Sequence, residues 1–285
     1  VPSAERITDR IVYHGEGPCW SPSWGGLRFV DMLAGDVVSL AADGTVSRRT
    51  VGSVAAVVRP RTQGGAVIAV ERGFVLEDAD GELTALPDVF EPRPKLRMNE
   101  GGCDPDGRFY CGSLQGGEPG AGTLYRLDAD LTVSTVLEGV TVSNGLGFSP
   151  DGTLAYYNDT GTGRTDVFDY DREDGLTNRR TFAQVNDESS RNRPDGLTVD
   201  AEGGVWVALF GGSAVRRYAP DGTLDAVVDV GARQVTACAF GGEALDELYI
   251  TTSRENLPDD DDPAAGSLFR FTPGVRGLPV PSPSA

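Results

Sequence analysis

Short apolar runs alternate with glycine-bearing turns along almost the whole chain. Gly26 leads into Leu-Arg-Phe-Val, Gly65 into Ala-Val-Ile-Ala-Val and Gly107 into Arg-Phe-Tyr-Cys. Gly152 leads into Thr-Leu-Ala-Tyr-Tyr, Gly204 into Val-Trp-Val-Ala-Leu and Gly242, a few residues on, into Glu-Leu-Tyr-Ile-Thr. Runs this short, without a sustained 3.6-residue apolar period, predict strands. The leading glycines lie 39, 42, 45, 52 and 38 residues apart, the period of a propeller blade. A further strand follows inside the units and often ends in an acidic turn, as Asp36-Val-Val-Ser-Leu does before Ala42-Asp43-Gly44 and Ala214-Val-Arg-Arg-Tyr before Asp221-Gly222. Six units of four strands predict an all-β, six-bladed β-propeller. A sandwich would explain the strands but not the period. No linker or composition shift divides the chain, so residues 1–285 read as a single propeller domain.

The same register carries chemistry. Asn99 lies eight residues before Gly107, Asn144 eight before Gly152 and Asp195 eight before Gly203, while Glu16 lies nine or ten before Gly25-Gly26. Each stands within two residues of a glycine. Asn-Gly and Asp-Gly are ordinary turn dipeptides, but four such residues at one offset need a further reason. The first strand of a propeller blade lines the central channel, so equivalent positions near its start converge at one mouth. Glu16, Asn99, Asn144 and Asp195 would then form a ring of oxygen donors on the central axis. Such a ring suits one divalent cation, with Ca²⁺ the first choice and Zn²⁺, Mn²⁺ or Mg²⁺ compatible.

Composition narrows the chemistry. There is one histidine, His14, and one lysine, Lys95, so a site built on several histidines is excluded. A Ser-His-Asp triad or a Schiff base would have to use one of these two residues. Lys+Arg total 25 against 43 Asp+Glu, a net charge of −18, which disfavours nucleic acid and anionic membrane as partners. Cys19, Cys103, Cys111 and Cys238 form no CxxC pair and are expected to be reduced and buried. Val1 to Arg10 has no apolar signal-peptide run, and no 18-residue apolar run occurs. These features suggest a cytoplasmic protein, although the missing initiator Met is compatible with a trimmed leader. The acidic stretch Asp259 to Asp262 reads as a solvated loop.

Several separate strings, in order, resemble the gluconolactonase/regucalcin family, which includes senescence marker protein and luciferin-regenerating enzyme. They are Gly15-Glu16-Gly17-Pro18-Cys19-Trp20, Arg97-Met98-Asn99-Glu100-Gly101-Gly102-Cys103, Val142-Ser143-Asn144-Gly145-Leu146 and Arg193-Pro194-Asp195-Gly196-Leu197. Thr236-Ala237-Cys238-Ala239-Phe240-Gly241-Gly242 and Gly266-Ser267-Leu268-Phe269-Arg270 extend the likeness. The resemblance implies a six-bladed propeller with one axial divalent metal, and Glu16, Asn144 and Asp195 as its ligands. It implies that Arg97 hydrogen-bonds substrate oxygens and that Asn99 contacts substrate or a metal-bound water. Glu100, in place of the family's usual Asp, is expected to bind substrate beside them. Where mammalian members carry an acid in the loop after the third blade's first strand, this chain has Gly117, with Glu118 adjacent. His14 shares a strand face with Glu16 and is expected at the rim or in a structural role.

The expected activity is metal-dependent hydrolysis of a small lactone, sugar-derived, by a monomer or weak homo-oligomer. The cation polarises the carbonyl and Asp195 serves as general base. A phosphotriesterase like the related diisopropyl fluorophosphatase group, another natural-product hydrolase or isomerase, and a non-enzymatic calcium-binding propeller are the alternatives.

Overall fold

The protein is described by a computed structural model covering residues 1–186 and 192–283. Among the described residues, twenty-four strands form six antiparallel four-stranded sheets. The innermost strands are Gly15–Ser21, Ala55–Pro60, Leu96–Cys103, Ser143–Phe148, Arg193–Val199 and Val235–Gly241, in blades 1 to 6. Each packs on the next and the sixth packs on the first, which closes a six-bladed propeller around a central channel. Burial falls from axis to rim. The second strand of blade 5, Val205–Phe210, is buried through Leu209, whereas the fourth strand of blade 1, Val46–Thr50, is exposed throughout. That gradient explains why the second strands, covered on both faces, are the continuous apolar runs of the sequence.

The sixth blade departs from the linear repeat. Its inner three strands, Val235–Gly241, Glu247–Thr252 and Phe269–Phe271, come from the C-terminal part of the chain, but its outermost strand is Glu5–Arg6. Glu5 pairs with Arg270 and Arg6 with Phe269. The ring is thereby fastened by backbone hydrogen bonds between its two ends, leaving no open junction between first and last blades.

Buried aspartates fix where the inner strands begin and end. Asp31 accepts from the backbone N–H groups of Tyr13 and His14 just before Glu16. Asp159 does the same for Thr141 and Val142 just before Asn144. At the far end Asp104 and Asp200, both fully buried, close the turns that lead into the second strands. Asp200 accepts from the N–H groups of Glu202 and Gly204, from Trp206 Nε1 and from Arg217 Nε.

Every inner strand carries a register shift against its neighbour within its first few residues. In blades 3, 4 and 5 the bulges fall at Asn99-Glu100, Asn144-Gly145 and Asp195-Gly196. In blade 1 the shift comes after Glu16, and Gly17 enters it with φ 55°. Glu16 is thus one residue earlier than its counterparts, which accounts for its longer offset from the turn glycine. A bulge re-aims a side chain out of the regular alternation, and here it does so in successive blades at one level of the channel.

The glycines after these residues bring neighbouring blades together. A Cβ on Gly145 would collide with Leu197 N and stand 2.9 Å from the Asp195 carbonyl oxygen. Gly145→Ala is therefore expected to destabilise the protein by about 1–3 kcal/mol and to shift Asp195, a change to be read as a lower midpoint in denaturant at unchanged slope.

The four cysteines are buried and unpaired, as expected. The acidic stretch is only partly a solvated loop. Asp259 to Asp261 are exposed, but Asp262 is buried and accepts from the N–H groups of Arg233, Ala264 and Ala265. Its sequence neighbours gave no sign of this, because the Arg233 N–H arrives from the connection that leads into blade 6's inner strand, 29 residues earlier.

Candidate active site

Glu16, Asn144 and Asp195 come together on the channel at relative exposures of 2%, 3% and 4%. Their placement follows from the fold: Asp31 and Asp159 hold the entries to the first two strands, and the bulges turn the side chains inward. The amide of Asn144 is oriented by donation from Nδ2 to Thr160 Oγ1 (3.0 Å), which itself donates to the Pro194 carbonyl (2.8 Å). Asn158 Nδ2 donates to the Asp195 carbonyl (2.7 Å), so the backbone under Asp195 is held from the adjacent blade. The two remaining blades present Ala56 and Thr236 at their register shifts. Thr236 Oγ1 donates to the Gly15 carbonyl (2.5 Å) and so joins blade 6 to blade 1.

Asn144 Oδ1, Asp195 Oδ1 and Glu100 Oε2 are buried oxygens without a hydrogen-bond partner. A buried acceptor without a donor costs about 1–3 kcal/mol, more for a charged group. Three at one level are an unusual expense unless something positive completes them. The carboxyl of Glu16 is pushed well above the usual carboxylate range, first by burial and then by the Asp195 and Glu100 carboxylates. That of Asp195 is also pushed well above it, by burial and by Glu100. Burial raises Glu100 too, against the pull of Arg59. Among the described residues no three His, Cys, Asp or Glu side chains close on one point. The convergent donors mix carboxylates with a carboxamide, an all-oxygen set of the kind that hard divalent cations prefer.

Arg97 and Asn99 are coupled, as their i, i+2 spacing on one strand predicts. Arg97 Nη1 donates to Asn99 Oδ1 (2.7 Å), and Asn99 Nδ2 donates to the Ser143 carbonyl (2.8 Å). Both polar ends of Asn99 are thereby engaged within the protein. Arg97 also lines a cavity of about 570 Å³ at the channel mouth, together with Lys95, Arg193 and Glu255. Glu100 lies apart from that cavity: its Oε1 accepts from Gly101 N and stands 3.5 Å from Arg59 Nη2. Glu118 is exposed and does not line the mouth, whereas Gly117 does.

Three contributors had no motif to announce them. Arg59, from the inner strand of blade 2, donates to the Gly17 and Gly101 carbonyls and so braces the turns behind Glu16 and Glu100. Ser253 and Glu255 follow the second strand of blade 6. Ser253 Oγ lies 2.7 Å from His14 Nδ1, and a Glu255 carboxylate oxygen 3.7 Å from the same nitrogen. His14 is buried, not at an open rim, and its Nε2 faces Glu16 Oε1 at 3.8 Å. Burial, aided by the Arg97 charge, lowers its pKa to about 3, so the ring is neutral near pH 7.

A second cavity of about 450 Å³ lies at the opposite end of the channel. It is lined by residues farther along the same inner strands, including Gly102, Leu146, Leu197 and Cys238, and by Leu278 and Val280 of the C-terminal segment. The buried oxygens thus occupy a level between two cavities, and only the mouth cavity is lined by Arg97.

Residues 14–254 match the family described as the SMP-30/gluconolactonase/LRE-like region. A 6-deoxy-6-sulfogluconolactonase of Pseudomonas putida is 37% identical over 273 residues, covering 94% of each chain. Pentonolactonase XacC of Haloferax volcanii is 34% identical over 286 residues, covering 96% of each. The crystal structure of a calcium-binding protein, regucalcin, from Agrobacterium tumefaciens superposes with a TM-score of 0.91 at 30% identity, over 99% of this chain and 97% of the other. No helix among the described residues is long and apolar enough to cross a membrane. With a match over most of its length and relatives of this similarity, the chain belongs to the SMP-30/gluconolactonase/LRE-like family.

Proposed function

We propose that this protein hydrolyses a sugar lactone at the Glu16–Asn144–Asp195 level of the channel, and that these three residues hold one divalent cation there. The observation that carries the reading is that two of the three, Asn144 and Asp195, each keep a buried oxygen without a partner, beside the carboxyls of Glu16 and Asp195 raised by burial and like charge. Lactone-hydrolysing relatives at 34% and 37% identity support the substrate class. Ca²⁺ is the first choice on the all-oxygen set, with Zn²⁺, Mn²⁺ and Mg²⁺ as alternatives to be separated by add-back. When bound, such a cation supplies Lewis-acid polarisation of a carbonyl.

The chain's own groups perform the remaining work. Arg97, reaching both the mouth and the buried level, hydrogen-bonds the acyl and hydroxyl oxygens of the lactone. Asn99 holds the Arg97 guanidinium in place through Oδ1. The Asp195 carboxylate takes a proton from the attacking water as the water oxygen bonds to the acyl carbon. The acyl–oxygen bond of the ring then breaks, and that proton passes to the departing ring oxygen, giving a hydroxy acid. Arg59 offsets the Glu100 charge behind the site. The proposal places the protein in the cytoplasm, as a single propeller domain acting as a monomer or weak homo-oligomer.

The test is acid release from glucono-1,5-lactone and a pentono-1,4-lactone, corrected for spontaneous opening. Saturable turnover of at least one lactone is expected, and its absence across a lactone panel with cation present would overturn the reading. Arg97→Ala is expected to raise KM and lower kcat, reducing kcat/KM by about 10²-fold, while leaving bound metal unchanged. Loss of metal in that variant would show that Arg97 supports the cation level and not the substrate.

A further inference from the structure

The mouth cavity has a charge balance opposite to that of the rest of the chain. Its lining contains three cations, Lys95, Arg97 and Arg193, and two acids, Glu71 and Glu255, in a protein with a net charge of −18. Both acids are engaged. Glu71 Oε2 accepts from Ser53 Oγ (2.7 Å), and Glu255 faces His14 and exerts the strongest carboxylate attraction on Arg97. Lys95 and Arg193 have no side-chain partner among the described residues. The protein's only lysine is therefore one of two cations at the opening of its site without a partner among the described residues.

Lys95 is also held in position. Its backbone is in the left-handed region at φ 60°, uncommon for a residue with a side chain. Its carbonyl accepts from Gly116 N (3.1 Å). Its stem runs across Gly116, where a Cβ would come within 2.9 Å of Lys95 Cδ. Such strain persists where the surrounding structure enforces it, and it concentrates at binding sites. Arg193 stands two residues before Asp195 at the start of the same strand and lines the mouth cavity, which Asp195 does not. The two cations are thus set back from the level where the carbonyl reacts.

We infer that Lys95 and Arg193 form an anion subsite, and that the preferred substrate is a lactone carrying a phosphate, sulfonate or carboxylate at the end remote from its carbonyl. This rests on the lactonase reading and deepens it. Two cations unpaired among the described residues, at a concave opening bordered by low-dielectric walls, attract an anionic substrate and repel none of its neutral hydroxyls. Arg97, already compensated by Glu255 and the buried carboxylates, remains free for the uncharged oxygens near the reacting centre.

The experiment compares kcat/KM for glucono-1,5-lactone and its 6-phosphate, in the wild type and in the double variant Lys95→Ala/Arg193→Ala. The wild type is expected to favour the 6-phosphate at least tenfold. The double variant should lose most of that preference while keeping the neutral lactone within about twofold, and the wild-type preference should shrink as salt rises from 50 to 500 mM. Equal kcat/KM for the two lactones, or an equal loss for both in the double variant, would overturn the subsite. Equilibrium binding of 6-phosphogluconate and gluconate separates this failure from failure of the lactonase reading. If no lactone turns over but 6-phosphogluconate binds more tightly than gluconate, and only when Lys95 and Arg193 are present, the subsite stands without the reaction. Equal binding of the two acids, or binding of neither, overturns it.

Discussion

Asp195→Ala is expected to lower kcat/KM by at least about 10³-fold and to abolish retention of the divalent cation, without weakening the metal-free fold. The activity loss follows from the two roles proposed for this carboxylate, as cation ligand and as proton acceptor. The stability expectation follows from its surroundings. Asp195 is buried, one of its oxygens lacks a partner, and its charge is opposed by Glu100 and Glu16. Removing a carboxyl that burial and the neighbouring Glu100 charge hold well above its ordinary range should leave the metal-free protein as stable as the wild type or more so, even though a cavity is created. Chelator should then lower the Tm of the wild type and leave that of the variant unmoved. An Asp195→Ala protein that keeps full turnover would remove the residue from the site. A variant that unfolds at a much lower Tm than metal-free wild type would make Asp195 a structural residue.

A second large effect concerns pH. In the metal-free protein the carboxyls of Glu16, Asp195 and Glu100 are all held above their unfolded-state values. The folded state therefore binds protons that the unfolded state has already released. That stabilising contribution is complete below roughly pH 4, where the unfolded carboxyls are also protonated, and it is lost as pH rises through the raised folded-state values. The Tm of chelated protein should accordingly rise as pH falls from 8 to about 6.5. Below that the buried His14 opposes the trend, because its pKa is lowered to about 3 while the unfolded imidazole takes up a proton. Below that window Asp43, Asp151 and Asp221, whose carboxyls are held below the usual range chiefly by hydrogen bonds from nearby hydroxyls and N–H groups, turn the trend downward. Net negative charge alone would give a similar slope, so the scan belongs in 0.5 M NaCl, where exposed charges are screened. Excess Ca²⁺ should flatten or invert the slope, because the cation binds the ionised carboxylates and stabilises by mass action. A chelated Tm that is flat or falls between pH 8 and about 6.5, above the range in which His14 acts, would contradict the electrostatics assigned to this level.

Much of this architecture was legible in the sequence because propeller blades repeat their turn chemistry. Gly107, Gly152 and Gly203 all adopt positive φ, and counting back from them reached Asn99, Asn144 and Asp195 directly. Glu16 broke the count by a residue because blade 1 places its register shift after Glu16. Other features had no local signal. Glu5–Arg6 is too short to show a period, and its partner strand lies near the opposite end of the chain. Arg59, Ser253 and Glu255 reach the site through the closing of the ring, and each reads in sequence as an ordinary surface residue. Asp262 looked solvated because one of the N–H groups that donate to it, that of Arg233, stands 29 residues away in sequence, where blade 6 begins. Local pattern thus reported what each blade repeats, and missed what the blades supply to one another.

The most direct test of the central claim is a titration of chelated protein with Ca²⁺, following bound metal and lactone hydrolysis in the same samples, with Zn²⁺, Mn²⁺ and Mg²⁺ run in parallel. The account predicts negligible turnover without cation and a return of activity in step with binding of about one ion per chain, through the one open oxygen set. Full turnover by protein carrying under about a tenth of an equivalent of any metal would contradict it, because catalysis would then proceed without the cation that Glu16, Asn144 and Asp195 are proposed to hold.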